Sequence, residues 1–209
     1  MSTIIRRESL QDYRAVENLT REAFWNIYRP GCTEHFVLHK FRESSNFIPE
    51  LDLVMEKDGE LIGHVMYAKS KIIAREGQSL EIGTFGPISI LPVYKGKGYG
   101  RQLLNTSMQK AAEYGLNALA ITGDIGFYGK SGFVLASSKN IRYAFADPND
   151  NEIPYFLIKE LKPGFLDGIS GIYSDPEEYF AAEQFPKEFS EFEASFPYKE
   201  KKELPGQLA

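Results

Sequence analysis

The segment Lys95-Gly96-Lys97-Gly98-Tyr99-Gly100-Arg101 combines the residue types that bind a phosphate group. Its three glycines stand at every second position, so several backbone N–H groups are uncovered and can turn toward one anion. An apolar run over residues 85–91 precedes the segment, and a helical pattern starts near Gly98. The positive end of that helix would face the same anion. This order of strand, loop and helix predicts a site for a pyrophosphate.

Three kinds of phosphate-binding loop compete for this segment. A Walker loop requires Lys and then Ser or Thr directly after its last glycine, whereas Arg101 and Gln102 follow Gly100 here. The dinucleotide fingerprint Gly-x-Gly-x-x-Gly requires a glycine where Arg101 stands, although Asp124 occupies the place of the acid that would bind a ribose. A nicotinamide dinucleotide site and a glycine-rich turn without a ligand therefore stay open beside the third kind of loop.

Hydrophobic periodicity places the loop in a mixed α/β protein. Asp58-Gly59 predicts a hairpin turn, Gly83, Gly86 and Pro87 predict a bulge or a bend, and Ser9 and Thr33 are predicted caps of two N-terminal helices. The predicted strands cover residues 3–7, 51–74 (two strands), 80–91, 118–122, 141–145 and 155–161, with a turn at 147–151. The order β-α-α-β-β-β-α-β-α-β-β predicts a central mixed sheet of about seven strands flanked by helices.

The composition changes after Pro163-Gly164, so we predict a domain over residues 1–162 and a C-terminal extension over residues 163–209. In the extension, phenylalanines recur at spacings of four, three and four, which predicts an amphipathic helix with one aromatic face. They are Phe185, Phe189, Phe192 and Phe196. We expect this stripe to dock on its own domain, and the alternative is a protein partner or a second subunit in a homodimer.

Composition and charge exclude several classes of function. The 209-residue chain has a net charge of −5, which argues against a nucleic-acid partner, and no run approaches the roughly 20 apolar residues of a membrane span. Cys32 is the only cysteine, so an intrachain disulfide is excluded, and without an apolar signal region the expected location is cytoplasmic. His35 and His39 stand four apart, as a metal pair would, but no second cluster completes a ligand shell. We therefore expect no metal.

Two motifs carry a family resemblance. Residues 88–100 resemble the central motif of the GNAT superfamily of acyl-CoA-dependent N-acetyltransferases, in which an apolar strand and Pro precede Gln/Arg-x-x-Gly-x-Gly/Ala and a helix. Residues 127–133, Phe-Tyr-Gly-Lys-Ser-Gly-Phe, are similar to a second element of that family, aromatic-Tyr-x-Lys/Arg-x-Gly-Phe. The resemblance covers about Thr3 to Leu161. Lys95 departs from the Gln or Arg of the pattern, and the segment before the second element is shortened to residues 123–126.

The resemblance implies that acetyl-CoA lies between two strands that splay apart, 80–91 and 118–122, and that its pantetheine arm mimics a strand. The implied cofactor-binding residues are Ile88, Ser89, Ile90, Lys95, Gly96, Lys97, Gly98, Tyr99, Gly100 and Arg101. An N–H group near Ile90 would polarise the thioester carbonyl. The implied activity is direct acetyl transfer to the amine of a small molecule or peptide, because Cys32 lies far in sequence from both motifs and is a poor acyl carrier.

The resemblance also suggests catalytic residues. Tyr128 is the proposed general acid, because its ordinary pKa of about 10 keeps the phenol protonated at neutral pH, so that it can donate a proton to the departing CoA thiolate, whose thiol has an ordinary pKa of about 8.5. The alternative is that Tyr128 merely packs on the cofactor. Glu81 is the first candidate for the base, with Asp124, His64 or no base as alternatives. The aromatic residues predicted to wall the acceptor are Phe24, Trp25, Tyr28, Tyr143 and Tyr155. A non-catalytic acyl-CoA-binding sensor or interaction module is the rival function.

Overall fold

The computed structural model describes residues 3–75, 77–147 and 153–207, and in them one nine-stranded mixed sheet carries helices on both faces. Residues 148–151 of the predicted turn lie outside the described residues. The strands are β1 (Thr3–Arg7), β2 (Leu53–Lys57), β3 (Glu60–Ala74), β4 (Ser79–Ile90), β5 (Ala118–Thr122), β6 (Val134–Leu135), β7 (Ile141–Tyr143), β8 (Phe156–Glu160) and β9 (Gly171–Tyr173). The α-helices are α1 (Tyr13–Phe24), α2 (Glu34–Phe41), α3 (Tyr99–Tyr114), α4 (Ile125–Tyr128), α5 (Ala181–Gln184) and α6 (Pro186–Ala194).

The sheet runs β1-β2-β3-β4-β5-β8-β6, and β9 joins it by pairing with both β3 and β7. The pairs β4–β5 and β7–β9 are parallel, and the other pairs are antiparallel. A parallel neighbour requires a crossover connection, and α3 provides it between β4 and β5. The mixed α/β class is therefore confirmed. Strands β6 and β9 are the two that the periodicity misses, because two or three residues are too few to show an alternation.

Local turn chemistry is largely as predicted. Asp58 and Gly59 join β2 to β3, and both have the positive φ that a tight hairpin needs. The predicted bulge is confirmed, because Val65 pairs with Ile88 and Tyr67 with Phe85, so two residues of β4 oppose a single residue of β3.

The first helix begins three residues later than the Ser9 cap predicts. Its N-cap residue is Asp12, whose carboxylate accepts hydrogen bonds from the Ser9 backbone N–H (2.9 Å) and Oγ (2.7 Å). A local turn between Ser9 and Asp12 therefore takes the place of the first helical turn. Thr33 is the N-cap residue of α2, as predicted.

Helices cover opposite faces of the central strands because alternate residues of a strand point to opposite sides. On one face, Tyr67 and Phe85 pack in one cluster with Leu103, Leu104 and Met108 of α3. On the other face, Met66 and Ala68 pack with residues of α1 and α2, namely Val16, Val37, Leu38 and Phe41. The two layers hold β4 and the loop after it between α1 and α3.

The phenylalanine stripe docks on the chain's own helices. Phe189 and Phe192 pack beside Phe36 of α2, while Phe196 is 7% exposed. The carboxylate of Glu193 on α6 accepts hydrogen bonds from Arg21 of α1 (2.5 Å), which is itself buried. The C-terminal segment thus contacts both α1 and α2 and stabilises their relative position. Among the helices in the described parts of the chain, none has the length and apolar character needed to cross a membrane.

Candidate functional site

The glycine loop leaves its backbone open at the N-terminus of α3. Gly96 (φ 74°) and Gly98 (φ 88°) have left-handed backbones, and a Cβ atom added to either would meet no atom within 4 Å. Gly98 is the N-cap residue of α3, and its carbonyl accepts the Gln102 N–H at 3.0 Å. The N–H groups of the first helical turn before Gln102 have no intrahelical acceptor, because each would need a carbonyl upstream of the cap. The loop therefore offers an uncovered set of donors to an anion.

The basic side chains of the loop have different roles. The Lys95 ammonium donates to the Ala23 carbonyl at 2.6 Å, near the end of α1, and burial lowers the pKa of Lys95. Lys97 lies over the Tyr94 ring, 5.6 Å from its centroid. Lys97 and Arg101 are exposed beside the glycines. Lys95 thus ties the loop to α1, and the other two cations are the ones that can reach a phosphate.

Strands β4 and β5 separate below the loop. They pair only at Gly83 with Leu119 and at Thr84 with Ala120. Strand β4 then continues to Ile90, with Ile88, Ser89 and Ile90 paired to β3 on one edge. Within the described residues, no strand pairs with the other edge of this part of β4. The split between β4 and β5 is therefore open at the end where the glycine loop begins.

Tyr128 lies at this split. It ends α4, which Asp124 caps by accepting the Gly126 N–H at 2.9 Å. The Tyr128 ring is 8% exposed and packs among three phenylalanine rings, with centroid distances of 5.9 Å to Phe85, 4.9 Å to Phe127 and 5.7 Å to Phe133. Burial raises the pKa of Tyr128 above its ordinary value. The phenol is therefore neutral at physiological pH and can donate its proton.

The structure does not bring Glu81 to Tyr128. Glu81 is exposed and pairs with Lys71 of β3. Along β4 it comes before the Thr84–Ala120 pair, whereas the split between β4 and β5 begins after that pair. Its neighbours in a surface groove include residues 114–117, at the C-terminal end of α3. Helix α3 has 16 residues, so this groove and the glycine loop lie at ends of a helix about 24 Å long.

His64, an alternative base, belongs to a buried polar cluster. Its Nε2 atom lies 2.6 Å from Asp52 Oδ1, and burial lowers the pKa of His64 to about 4. Burial, followed by the neighbouring Asp52 carboxylate, raises the pKa of Glu8 to about 8. Potential ligand atoms of Glu8, Asp52 and His64 lie within 4.8 Å of one another, so these three could hold a metal ion. The Asp52–His64 distance is that of a hydrogen bond. A proton retained on Glu8 allows its carboxyl group to hydrogen-bond to Asp52, which accounts for the close approach of the two acidic side chains.

The two other histidines do not form a pair. His35 contacts Cys32 Sγ (3.4 Å) and Glu193 Oε2 (2.8 Å), while His39 Nδ1 contacts Glu17 at 3.0 Å. Although they stand four residues apart, His35 and His39 therefore make polar contacts with different partners.

The predicted aromatic wall divides into three groups. Phe24 and Tyr28 lie together, with ring centroids 6.1 Å apart. Trp25 donates from Nε1 to the Glu200 carbonyl at 3.0 Å and so belongs to the docking of the C-terminal segment. Tyr143 lies 6.5 Å from Tyr155. Burial and then the carboxylates of Glu34 and Asp124 raise the pKa of Tyr28, and Tyr28 in turn contributes to the raised pKa of Tyr128.

No sequence pattern indicates a role for Tyr179 at the site. Its hydroxyl donates to the Gly86 carbonyl at 3.1 Å, across 93 positions of the chain. This contact places a residue of the C-terminal segment at the split between β4 and β5. No motif surrounds Tyr179, and only the folded chain brings it there.

Comparisons with known proteins agree with this geometry. A sequence profile described as the acetyltransferase (GNAT) family matches residues 17–133. An uncharacterised N-acetyltransferase of Escherichia coli strain K12, YhbS, is 24% identical over 176 residues, which cover 84% of this chain and 98% of that protein.

Two crystal structures share the fold. The E. coli YhbS structure, in complex with CoA, has a TM-score of 0.71 and 26% identity, and the match covers 85% of this chain and 91% of that one. A GNAT family acetyltransferase from Brucella melitensis, in complex with acetyl-CoA, has a TM-score of 0.66 and 23% identity, with coverage of 85% and 98%.

Proposed function

The chain belongs to the acetyltransferase (GNAT) family, and we propose that it moves an acetyl group from acetyl-CoA directly to a primary amine in a ternary complex. The observation that carries this proposal is the split between β4 and β5, with a donor-rich glycine loop at its open end and the buried Tyr128 phenol beside it. The CoA and acetyl-CoA bound in the two similar crystal structures support it. The acceptor would be a small molecule or a peptide.

In this proposal, the backbone does most of the binding. Amides from Lys97 to Arg101 hold the pyrophosphate, aided by the dipole of α3. The free edge of β4 at Ile88, Ser89 and Ile90 holds the pantetheine arm as an added strand. A backbone N–H group toward the Gly86 end of this edge polarises the thioester carbonyl and then stabilises the oxyanion. Lys95 acts indirectly, because its contact with Ala23 fixes the loop against α1.

Tyr128 supplies the proton in the collapse of the tetrahedral intermediate. The amine nitrogen forms a bond to the carbonyl carbon, the carbon–sulfur bond breaks, and the phenol protonates the leaving thiolate. Burial holds the pKa of Tyr128 above its ordinary value, so the phenol is protonated when the thiolate leaves. Because a thiol has a lower pKa of about 8.5, this proton transfer is uphill by itself, and the phenolate then regains a proton from water, to which the amine releases its own. Glu81 lies beyond the strand contact, so we propose that the amine enters neutral and loses its second proton to water.

Calorimetric titration with acetyl-CoA tests the cofactor site. Gly98→Glu should abolish binding, because it strains a left-handed backbone and adds a negative charge to the anion site. Gly168→Glu is a matched control, since Gly168 also has a positive φ (74°) and open space around its Cβ position. Absence of acetyl-CoA binding by the intact protein would contradict the proposal.

Turnover separates an enzyme from the rival acyl-CoA-binding sensor. An enzyme releases CoA thiol from acetyl-CoA in the presence of an accepted amine, found by screening small amines and peptides. Tyr128→Phe should retain acetyl-CoA binding and lower kcat by about 10²–10⁴-fold, the range for a general acid. Tyr198→Phe, at a residue 90% exposed, is the control. Binding without thiol release for any amine would favour the sensor.

A further inference from the structure

The split between β4 and β5 has a closed apex. Thr84 and Ala120 are the last paired residues, and Gly86 and Ile121 follow them on the two strands. A Cβ atom added to Gly86 would lie 3.6 Å from Ile121 Cδ1 and 3.8 Å from the Tyr179 hydroxyl. These are ordinary contact distances, so Ile121 and Tyr179 line a gap beside Gly86 that has room for one methyl group at the narrow end of the split.

Tyr179 is held at the apex from several sides. Its hydroxyl donates to the Gly86 carbonyl at 3.1 Å, and its ring lies edge-on to Phe41, with centroids 4.8 Å apart. The adjacent Glu178 accepts hydrogen bonds from Ser44 and from Asn46, the latter at 3.2 Å. A side chain with these anchors keeps one position and forms a fixed wall.

The acyl group would point toward this wall, an inference that rests on the proposed function. The phosphates lie at the glycine loop, which follows the end of β4. A pantetheine arm running along β4 from Ile90 to Gly86 spans four residues, or about 13 Å. Its far end carries the thioester, and the acyl chain continues from there toward the apex.

We propose that Tyr179 and Ile121 set the length of the acyl group, admitting acetyl and rejecting longer straight chains. The C-terminal segment thereby supplies a specificity-determining residue to a site that otherwise comes from the motif-bearing part of the chain. Acetyl places one methyl group at the apex, whereas butyryl adds two methylene groups that would meet the Tyr179 hydroxyl and the Ile121 methyl.

Calorimetric titration with acetyl-CoA, butyryl-CoA and hexanoyl-CoA tests the proposal without the unidentified amine. The unmodified protein should bind butyryl-CoA and hexanoyl-CoA more weakly than acetyl-CoA. Tyr179→Ala should shift the ratio of the butyryl-CoA to the acetyl-CoA dissociation constant about tenfold toward butyryl-CoA, because two methylene groups become buried. Tyr198→Ala, at a residue 90% exposed, should leave the ratio unchanged.

Ile121→Val is the second variant, since it removes only the Cδ1 methyl group that faces Gly86 and keeps the strand intact. It should shift the same ratio in the same direction, and it decides the matter if Tyr179→Ala fails to fold. An unchanged ratio in the folded variants, or equal affinities of the unmodified protein for acetyl-CoA and hexanoyl-CoA, would overturn the proposal. Failure of the unmodified protein to bind acetyl-CoA would instead refute the proposed function.

Discussion

Substitution of Gly123 by Ala should displace Tyr128. A Cβ atom at Gly123 would lie 2.4 Å from Tyr128 Cε2 and 3.0 Å from Cδ2. Carbon atoms in contact prefer a separation of about 3.5–4.0 Å, so the ring would have to move by about an ångström. The surrounding rings of Phe85, Phe127 and Phe133 leave it no free direction. The backbone of Gly123 does not itself require glycine, since its φ lies outside the left-handed range. The close approach of the Tyr128 ring is therefore the reason that a larger residue does not fit there.

The expected cost of Gly123→Ala follows from overpacking, which typically destabilises a core by about 1–3 kcal/mol. For a chain of this size, a loss of about 2 kcal/mol lowers Tm by about 4–8 °C. A displacement of about 1 Å in a positioned catalytic group can lower turnover about 100-fold. Thermal unfolding followed by circular dichroism measures the first effect, and thiol release with an accepted amine measures the second.

Gly129→Ala is the matched control for this prediction. Gly129 follows Tyr128 directly, its backbone is right-handed helical (φ −59°), and an added Cβ would lie 3.4 Å from the flexible end of Ile125. Alanine should therefore be tolerated there, with Tm unchanged or slightly raised. A Gly123→Ala protein with the Tm and turnover of the unmodified protein would refute the steric reasoning. So would equal losses in both variants.

Two further predictions concern buried charges. Burial and then Asp52 raise the pKa of Glu8 from 4.5 to about 8, so the folded protein keeps a proton that the unfolded chain releases. Stability due to this group should fall by about 1.4 kcal/mol per pH unit between these values. Glu8→Gln should reduce this loss of stability with rising pH, measured as urea midpoints from pH 5 to pH 9. A pH dependence of the midpoint identical to that of the unmodified protein would contradict the prediction. Glu193→Ala leaves Arg21, with a side chain 2% exposed, without its carboxylate and should cost about 3–5 kcal/mol. Glu191→Ala, on the same helix but 69% exposed, should change the urea midpoint little, and comparable losses in both would show that the buried pair is not responsible.

Much of the site could be predicted from short stretches of sequence. The glycine loop, the Asp58-Gly59 hairpin and the bulge at Gly86 and Pro87 depend on backbone preferences that act within a few residues. The mixed sheet follows from hydrophobic periodicity, which acts over the length of one element. The two motifs also identified the family, and the profile match over residues 17–133 confirms it.

Contacts between distant elements could not be predicted in this way. Glu8, Asp52 and His64 form one buried cluster although 44 and 12 positions separate them in sequence. The Lys95 ammonium meets the Ala23 carbonyl across 72 positions, so a cation expected at the pyrophosphate instead fastens the loop to α1. Spacing along the chain carries no information about such pairs, because the packing of helices on the sheet decides which side chains meet.

The sequence alone therefore determined the strand–loop–helix order, the family, and the place of Tyr128 within the second motif. Only the tertiary structure decided that Glu81 lies outside the split and that Tyr179 lies inside it. The physical reason is the range of the forces involved. Backbone dihedral preferences and side-chain alternation act locally and can be read from neighbouring residues. The closure of the apex depends instead on where a segment about 90 residues away packs against β4.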